Sequence, residues 1–323
     1  MAIDSPQLGS VLITTPSFGQ HSHEPWQALT EQRLVARRPR AQPPLDARQL
    51  ADEIGEADAL IIGLDKVDAS VLDAAPRLKA VAKHGVGVDN IDCDAAQQRG
   101  IRVLNAPGSN TGAVADLTMA VLLAAVRKVV SAHTSVIDGQ WGRFFGPELG
   151  GKTLGVLGFG KIGQAVARRA HGFDMRIVAY DPYLPETVFA EQGVESADLD
   201  ECVTSSDILT LHMPMAADSE ALLNRERLGR MRQGACVVNT ARGGLVDEAA
   251  LAELLREGHL GAAAVDVFSA EPPRDSPLLH APNVVVTPHI GAYSYQANAT
   301  MGATVVHDIA RVLRGEEPLH RVV

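Results

Sequence analysis

A chain of 323 residues, 46% of them hydrophobic, carries enough apolar material for two cores of ordinary size. Its net charge of −10 argues against nucleic acid or an anionic membrane as partner, since both demand a cationic face. Cys93, Cys202 and Cys236 stand without C-x-x-C or metal-ligand spacing, a pattern that fits reduced thiols and no metal.

Taken in order, Met1 to Gly9 reads as a loose tail without the pattern of a secretory signal, and cytoplasm is the expected location. Strands are expected at Val11 to Thr15, Leu34 to Ala36, Ala59 to Ile62, Leu78 to Ala82 and Ile101 to Leu104. A turn at Ser17-Phe18-Gly19 precedes a helix over Glu24 to Glu31, and further helices fall at Asp46 to Ile54 and Ala69 to Ala74. The basic cluster Arg37-Arg38-Pro39-Arg40 reads as a solvated loop. This alternation predicts a parallel sheet with helices on both faces, a small α/β domain of its own up to about residue 105.

Thr111 to Val130 is expected to be one long helix, apolar nearly all round and therefore buried. Its most apolar part, Ala113 to Val126, contains Asp116 and is too short to span a bilayer. Trp141, Phe144 and Phe145 follow in a loop suited to a subunit contact.

Lys152 to Asp181 is a β-α-β unit. The strand Thr153 to Leu157 runs into Gly158-Phe159-Gly160-Lys161-Ile162-Gly163, a helix follows with a stop at His171-Gly172, and a second strand, Arg176 to Tyr180, ends at Asp181. Gly158 permits the sharp turn, Gly160 lets a pyrophosphate approach the backbone and Gly163 lets helix pack on strand. The phosphates then meet the unpaired N–H groups of the helix start. Asp181 can accept hydrogen bonds from ribose hydroxyls and repel a 2′-phosphate, which predicts NAD rather than NADP.

Further strands are expected at Ile208 to Leu211, Ala235 to Asn239, Ala262 to Val267 and Val284 to Thr287, with a helix at Glu248 to Glu257 and a final one from Ser294 to Leu313. That last helix is expected to complete the first domain. The organisation is then 1–105 with 294–323, and 106–293 between them. Three polar groups follow strand ends: Arg242 in NTARGG, Glu271 in DVFSAEPP and His289 in TPHIGA. Beside a nicotinamide, His289 suits proton transfer, Glu271 could fix its tautomer, and the guanidinium of Arg242 could hold a substrate carboxylate. Singly, each has a plainer reading as a surface histidine, a turn glutamate or a loop arginine. By the same reasoning Asp266 would simply bond nearby backbone and His212 would be a satisfied core histidine.

VLGFGKIG, LHMP, NTARGGLVDEAAL, GAAAVDVFSAEPP and TPHIGA, with KHGVGVDNID and NAPGSN before them, resemble the D-isomer-specific 2-hydroxyacid dehydrogenases, and most of all phosphoglycerate-dehydrogenase-like members without a C-terminal regulatory domain. The resemblance implies a Rossmann-type NAD-binding domain plus a smaller flavodoxin-like substrate domain, closing over a 2-hydroxy or 2-keto acid. It implies Arg242, Glu271 and His289 as the catalytic set. Gly158, Gly160, Lys161, Ile162, Gly163, Asp181, His212, Pro214, Thr240, Asp266 and Gly291 would contact the cofactor. Lys83, His84, Gly85, Val86, Gly87 and Asn110, with Arg242, would contact the substrate, and a homodimer would form through the long helix and the Trp-containing loop.

The chain departs from the phosphoglycerate pattern at Ile61-Ile62-Gly63-Leu64, where an arginine is usual and Lys83 or Lys66 would have to compensate. Asp116 replaces a glutamate, and Tyr293 and Tyr295 replace smaller residues. An NADH-sensing corepressor-like binding protein and a phosphite-type dehydrogenase are alternative readings of the same resemblance.

Overall fold

The computed structural model describes residues 6–215 and 220–323, so part of the expected N-terminal tail lies outside them. The chain divides into two compact units, Met1–Asn110 with Ala292–Val323, and Thr111–Gly291.

The first unit is built on β1 (Gly9–Ile13), β2 (Leu34–Arg37), β3 (Ala59–Ile62), β4 (Ala80–Lys83) and β5 (Arg102–Leu104). All pair in parallel, in the order β2-β1-β3-β4-β5, which is the flavodoxin-like order. Short apolar runs such as ALII in β3 are buried on both faces, as a sheet covered by helices on each side demands. The helix Tyr295–Leu313 belongs to this unit, with Ser294 as its N-cap. Beyond it the chain returns along β5, Val322 N donating to Val103 O at 2.8 Å, and the buried Asp308 carboxylate accepts from the amides of Leu319 and His320.

The second unit holds β6 (Thr153–Leu157), β7 (Arg176–Tyr180), β8 (Glu195–Ser196), β9 (Ile208–Leu211), β10 (Cys236–Asn239), β11 (Ala262–Val265) and β12 (Val284–Val286). Their order is β12-β11-β10-β9-β6-β7-β8, all parallel. The chain therefore runs outward from β6 to β8, returns to β9 beside β6 and runs outward the other way. That reversal is the switch point at which doubly wound sheets open a crevice for a ligand. Alternate residues of one strand serve opposite faces: Cys236 and Val238 join the core that includes Leu122 and Val166, while Val237 joins the core that includes Leu251 and Leu228.

Several expectations need correction. Residues 111–130 do not form one helix. The first ends at Val126, Lys128 takes a left-handed conformation (φ 54°), and a second helix runs Val129–Ile137. A residue with positive φ just past a helix end stops it in the way glycine usually does, and apolar patterning is blind to that. Gly9 belongs to β1, so the first strand begins and ends earlier than expected. The two-residue edge strand β8 was not foreseen, having too few residues to show a period. Nor is Arg38 simply solvated: its guanidinium donates to Thr15 O at 2.5 Å and Phe18 O at 3.0 Å and lies 5.2 Å from the Trp26 ring centre, pinning the turn after β1. Among the described residues no helix is long and apolar enough to cross a membrane, and all three cysteines are free.

Candidate active site

The glycine turn after β6 shows what each glycine is for. Gly158 has φ 91°, and a Cβ there would stand 2.7 Å from the carbonyl of His212, the residue that follows the neighbouring strand β9. A Cβ on Gly163 would run into the carbonyl oxygen of Gly158. Gly160 is different, because nothing lies within 4 Å of where its Cβ would be. It is the N-cap of the helix Lys161–His171 and supplies no side-chain cap, which leaves the first amides of that helix without a side-chain acceptor from the cap residue. An open approach over uncapped amides fits a pyrophosphate, so the residues present suit a dinucleotide. Lys161 is exposed at this turn and Ile162 half-buried.

Phe159, fully buried and stacked on Phe189 with ring centres 4.9 Å apart, fixes the turn from below. Asp181 follows β7 and accepts from Phe159 N at 2.9 Å and from Tyr183 N at 3.0 Å. The carboxylate is thereby oriented at the end of the strand beside the glycine turn.

Arg242, Glu271 and His289 follow β10, β11 and β12, three adjacent strands. His289 Nδ1 lies 2.8 Å from Glu271 Oε2, with the two side chains 37% and 26% exposed, so the pair is reachable from solvent. Burial alone would raise the Glu271 carboxyl, but the His289 hydrogen bond and charge, the Phe268 amide and the charge of Arg242 outweigh it and hold it below the usual glutamate range. An ionised carboxylate only accepts, so Nδ1 of His289 carries a proton and Nε2 is left for chemistry. Arg242 Nη1 donates to Ala241 O at 2.7 Å, and its own carbonyl accepts from Asn239 Nδ2 at 2.8 Å, which shapes the loop.

Asp266, only 1% exposed, organises the loop that carries His289. Its Oδ1 accepts from Thr287 Oγ1 at 2.6 Å and Ile290 N at 2.8 Å, and its Oδ2 from Gly291 N at 2.8 Å. His289 itself sits at φ 53° and donates its amide to Asp266 O at 2.9 Å. Thr240 is buried and its hydroxyl is 2.8 Å from that of Thr118, which donates to Val114 O. His212 Nε2 is 2.9 Å from Thr210 Oγ1, and burial pushes its imidazole down to about 3. Pro214, beyond it, is exposed. Asn239 and Thr287 were not foreseen as shaping residues, although both lie inside the strand-end motifs NTARGG and TPHIGA.

The residues expected to contact substrate in the first unit are Lys83 at the end of β4 and the residues just after it, apart from Asn110. Lys83 Nζ donates to Gly63 O at 2.6 Å and Asn90 Oδ1 at 2.8 Å, joining the ends of β3 and β4. His84 is 7% exposed, and burial pushes its imidazole down to about 4. Gly85 is held by its amide to Lys83 O and by its carbonyl to Ala106 N, and Val86 O accepts from Asn105 Nδ2 at 2.7 Å. Gly87 is half-buried, and Asn110 Oδ1 is buried without a hydrogen-bond partner.

A parallel doubly wound sheet with an open glycine turn at its switch point, and a histidine-carboxylate pair and an arginine on adjacent strand ends, is an arrangement suited to a dinucleotide. Residues 119–291 match the sequence model of the D-isomer specific 2-hydroxyacid dehydrogenase, NAD binding domain. The chain is 46% identical over 276 residues to D-3-phosphoglycerate dehydrogenase of Methanocaldococcus jannaschii, covering 84% of this chain and 53% of that protein. It is 43% identical over 275 residues to hydroxypyruvate reductase of Thermotoga maritima, covering 83% and 89% respectively. The crystal structure of the TT0316 protein from Thermus thermophilus superposes with a TM-score of 0.86 at 40% identity, over 97% of this chain and 100% of that one. The chain belongs to the D-isomer-specific 2-hydroxyacid dehydrogenase family. It spans about half the length of the phosphoglycerate dehydrogenases it matches.

The neutral buried His84 has a consequence for stability. Its folded value near 4 lies below the ordinary histidine value, so below about pH 6.5 the unfolded chain binds a proton that the folded chain refuses, and stability falls as pH drops towards 4. Urea unfolding at pH 7.5 and 4.5 should show this loss, and His84→Gln should shrink it by about 2 kcal/mol. An undiminished loss in the variant would contradict the assignment.

Proposed function

We propose that this chain is an NAD-dependent oxidoreductase that interconverts a 2-keto acid and a D-2-hydroxy acid. The observation that supports it most is the His289–Glu271 pair, 2.8 Å apart and accessible, on strand ends next to Arg242. In the reducing direction the balance is 2-keto acid plus NADH plus a proton giving D-2-hydroxy acid plus NAD. Bound NADH supplies the hydride that reduces the C2 carbonyl carbon. Arg242 holds the substrate carboxylate with its fork of donors and polarises the neighbouring carbonyl. His289 gives the proton on Nε2 to the carbonyl oxygen and takes it back in the oxidising direction, while Glu271 keeps Nδ1 protonated and stabilises the charged ring. Asp181 favours NAD over NADP, because a 2′-phosphate would meet a carboxylate oriented by two backbone amides.

The second unit is the cofactor domain in this reading, and the first unit recognises the acid through the loop after β4. Relatives named for D-3-phosphoglycerate and hydroxypyruvate support counting such acids among the candidates. Val129–Ile137 and the segment after it expose Ile137 (72%), Trp141 (83%) and Phe145 (81%), a concentration of apolar surface that suits a homodimer. A soluble cytoplasmic location accords with the acidic surface.

His289→Ala should lower kcat for keto-acid reduction by roughly 10²- to 10⁴-fold, with NADH binding, followed by fluorescence, retained. Equal rates in the two proteins would remove the role given to His289. Sedimentation velocity should give twice the chain mass of 34.2 kDa, and Trp141→Ala combined with Phe145→Ala should shift it towards monomer; a wild-type monomer would overturn the dimer.

A further inference from the structure

The helix Thr111–Val126 is apolar over most of its surface, so a hydroxyl buried in its middle has to find its partners inside the protein. Thr118 is such a residue, fully buried. Its Oγ1 donates to Val114 O, one turn back, at 2.7 Å and lies 2.8 Å from Thr240 Oγ1. A hydroxyl has one proton to give and two lone pairs to accept with. With the Thr118 proton on Val114 O, the proton between the two threonines is that of Thr240. The Thr240 oxygen is thereby left as an acceptor, with no proton for a third group.

The place of Thr240 in the sheet gives that polarity a use. It follows β10 directly, and the strand order β10-β9-β6-β7 sets it two strands from the glycine turn, on the side away from Asp181. A dinucleotide whose adenosine ribose meets Asp181 and whose pyrophosphate meets the glycine turn carries its nicotinamide half across the ends of β9 and β10. That half has donors to offer, the carboxamide N–H groups and the ribose hydroxyls. The helix face that carries Thr118 also carries Val114, four residues earlier, and a Cβ on Gly291 would meet Val114 Cγ2 at 3.5 Å. Gly291 in turn donates to Asp266 Oδ2. One helix face therefore supports both the residue after β10 and the loop after β12.

We propose that Thr118 is a positioning residue for the nicotinamide half of the cofactor: by accepting the Thr240 hydrogen bond it holds Thr240 Oγ1 as an acceptor for a donor group of that half. A hydroxyl free to turn would have to be ordered on binding, whereas this one is ordered beforehand. The inference rests on the NAD reading above and gives a task to a polar residue inside an apolar helix.

Calorimetric titration with NADH and with ADP, which carries the adenosine and two phosphates but neither the nicotinamide nor its ribose, tests it. Thr118→Val keeps the shape of the side chain and removes its oxygen; the Kd for NADH should rise about tenfold while that for ADP stays within about twofold. Thr118→Ser, which gives up the methyl and keeps the hydroxyl, should retain the wild-type ratio of the two constants, the reverse of what lost packing alone would give. Thr240→Val should reproduce the change seen in Thr118→Val, and the double variant should add little, as for two groups acting through one hydrogen bond. An unchanged ratio in Thr118→Val, or equal losses for both ligands, would leave NAD binding standing and overturn the positioning role. Should Thr118→Val not fold, an unchanged ratio in Thr240→Val would overturn it equally. No NADH binding by the wild type would remove the cofactor reading and this inference with it.

Discussion

One buried carboxylate sets the geometry on which the candidate chemistry depends. Asp266 follows β11 and is removed from water, so its charge needs donors, and it takes them from Thr287, Ile290 and Gly291 in the loop after β12. Those bonds stitch two adjacent strand ends together around His289. The left-handed backbone at His289 is the result, a conformation that a residue with a Cβ adopts only when its surroundings impose it. Once the imidazole is aimed, Glu271 fixes its tautomer from the loop after the same β11. Asp266 thus positions the loop that carries His289.

Sheet order explains why the glycine turn and the His289–Glu271 pair share one unit. Because β9 returns beside β6, the loop after β9 lies against the glycine turn, close enough that only hydrogen fits on Gly158 facing the His212 carbonyl. Each later strand is added outward, which delivers Arg242, then Asp266 with Glu271, then His289 to successive strand ends. The first unit follows the same logic with a different result. Its strand ends are held by Asp65, Lys83 and Arg38 bonded to backbone.

Much of this was legible in the amino-acid order. β3, β6, β7 and β9 fall at the residues expected of them, since short β-branched runs between turns carry their own signal. The glycine turn and the strand-end positions of Arg242, Glu271 and His289 were equally plain. The helix break at Lys128 was not, because a left-handed lysine looks like any other lysine in a sequence. Arg38 was misread for a related reason: a basic cluster shows its charge but not the carbonyls it will meet, and those come from a turn some twenty residues earlier. The plain reading of Asp266 as a backbone-bonding residue describes its contacts well, and the pairing with Thr287 could only appear once β11 and β12 were side by side.

The central claim is that this site moves a hydride to C2 of a 2-keto acid and delivers one enantiomer. Chiral chromatography of the hydroxy acid formed from a 2-keto acid and NADH tests it most directly. The account predicts the D enantiomer, formed in step with NADH consumption; an L or racemic product, or a keto acid left unreduced with NADH intact, would contradict it.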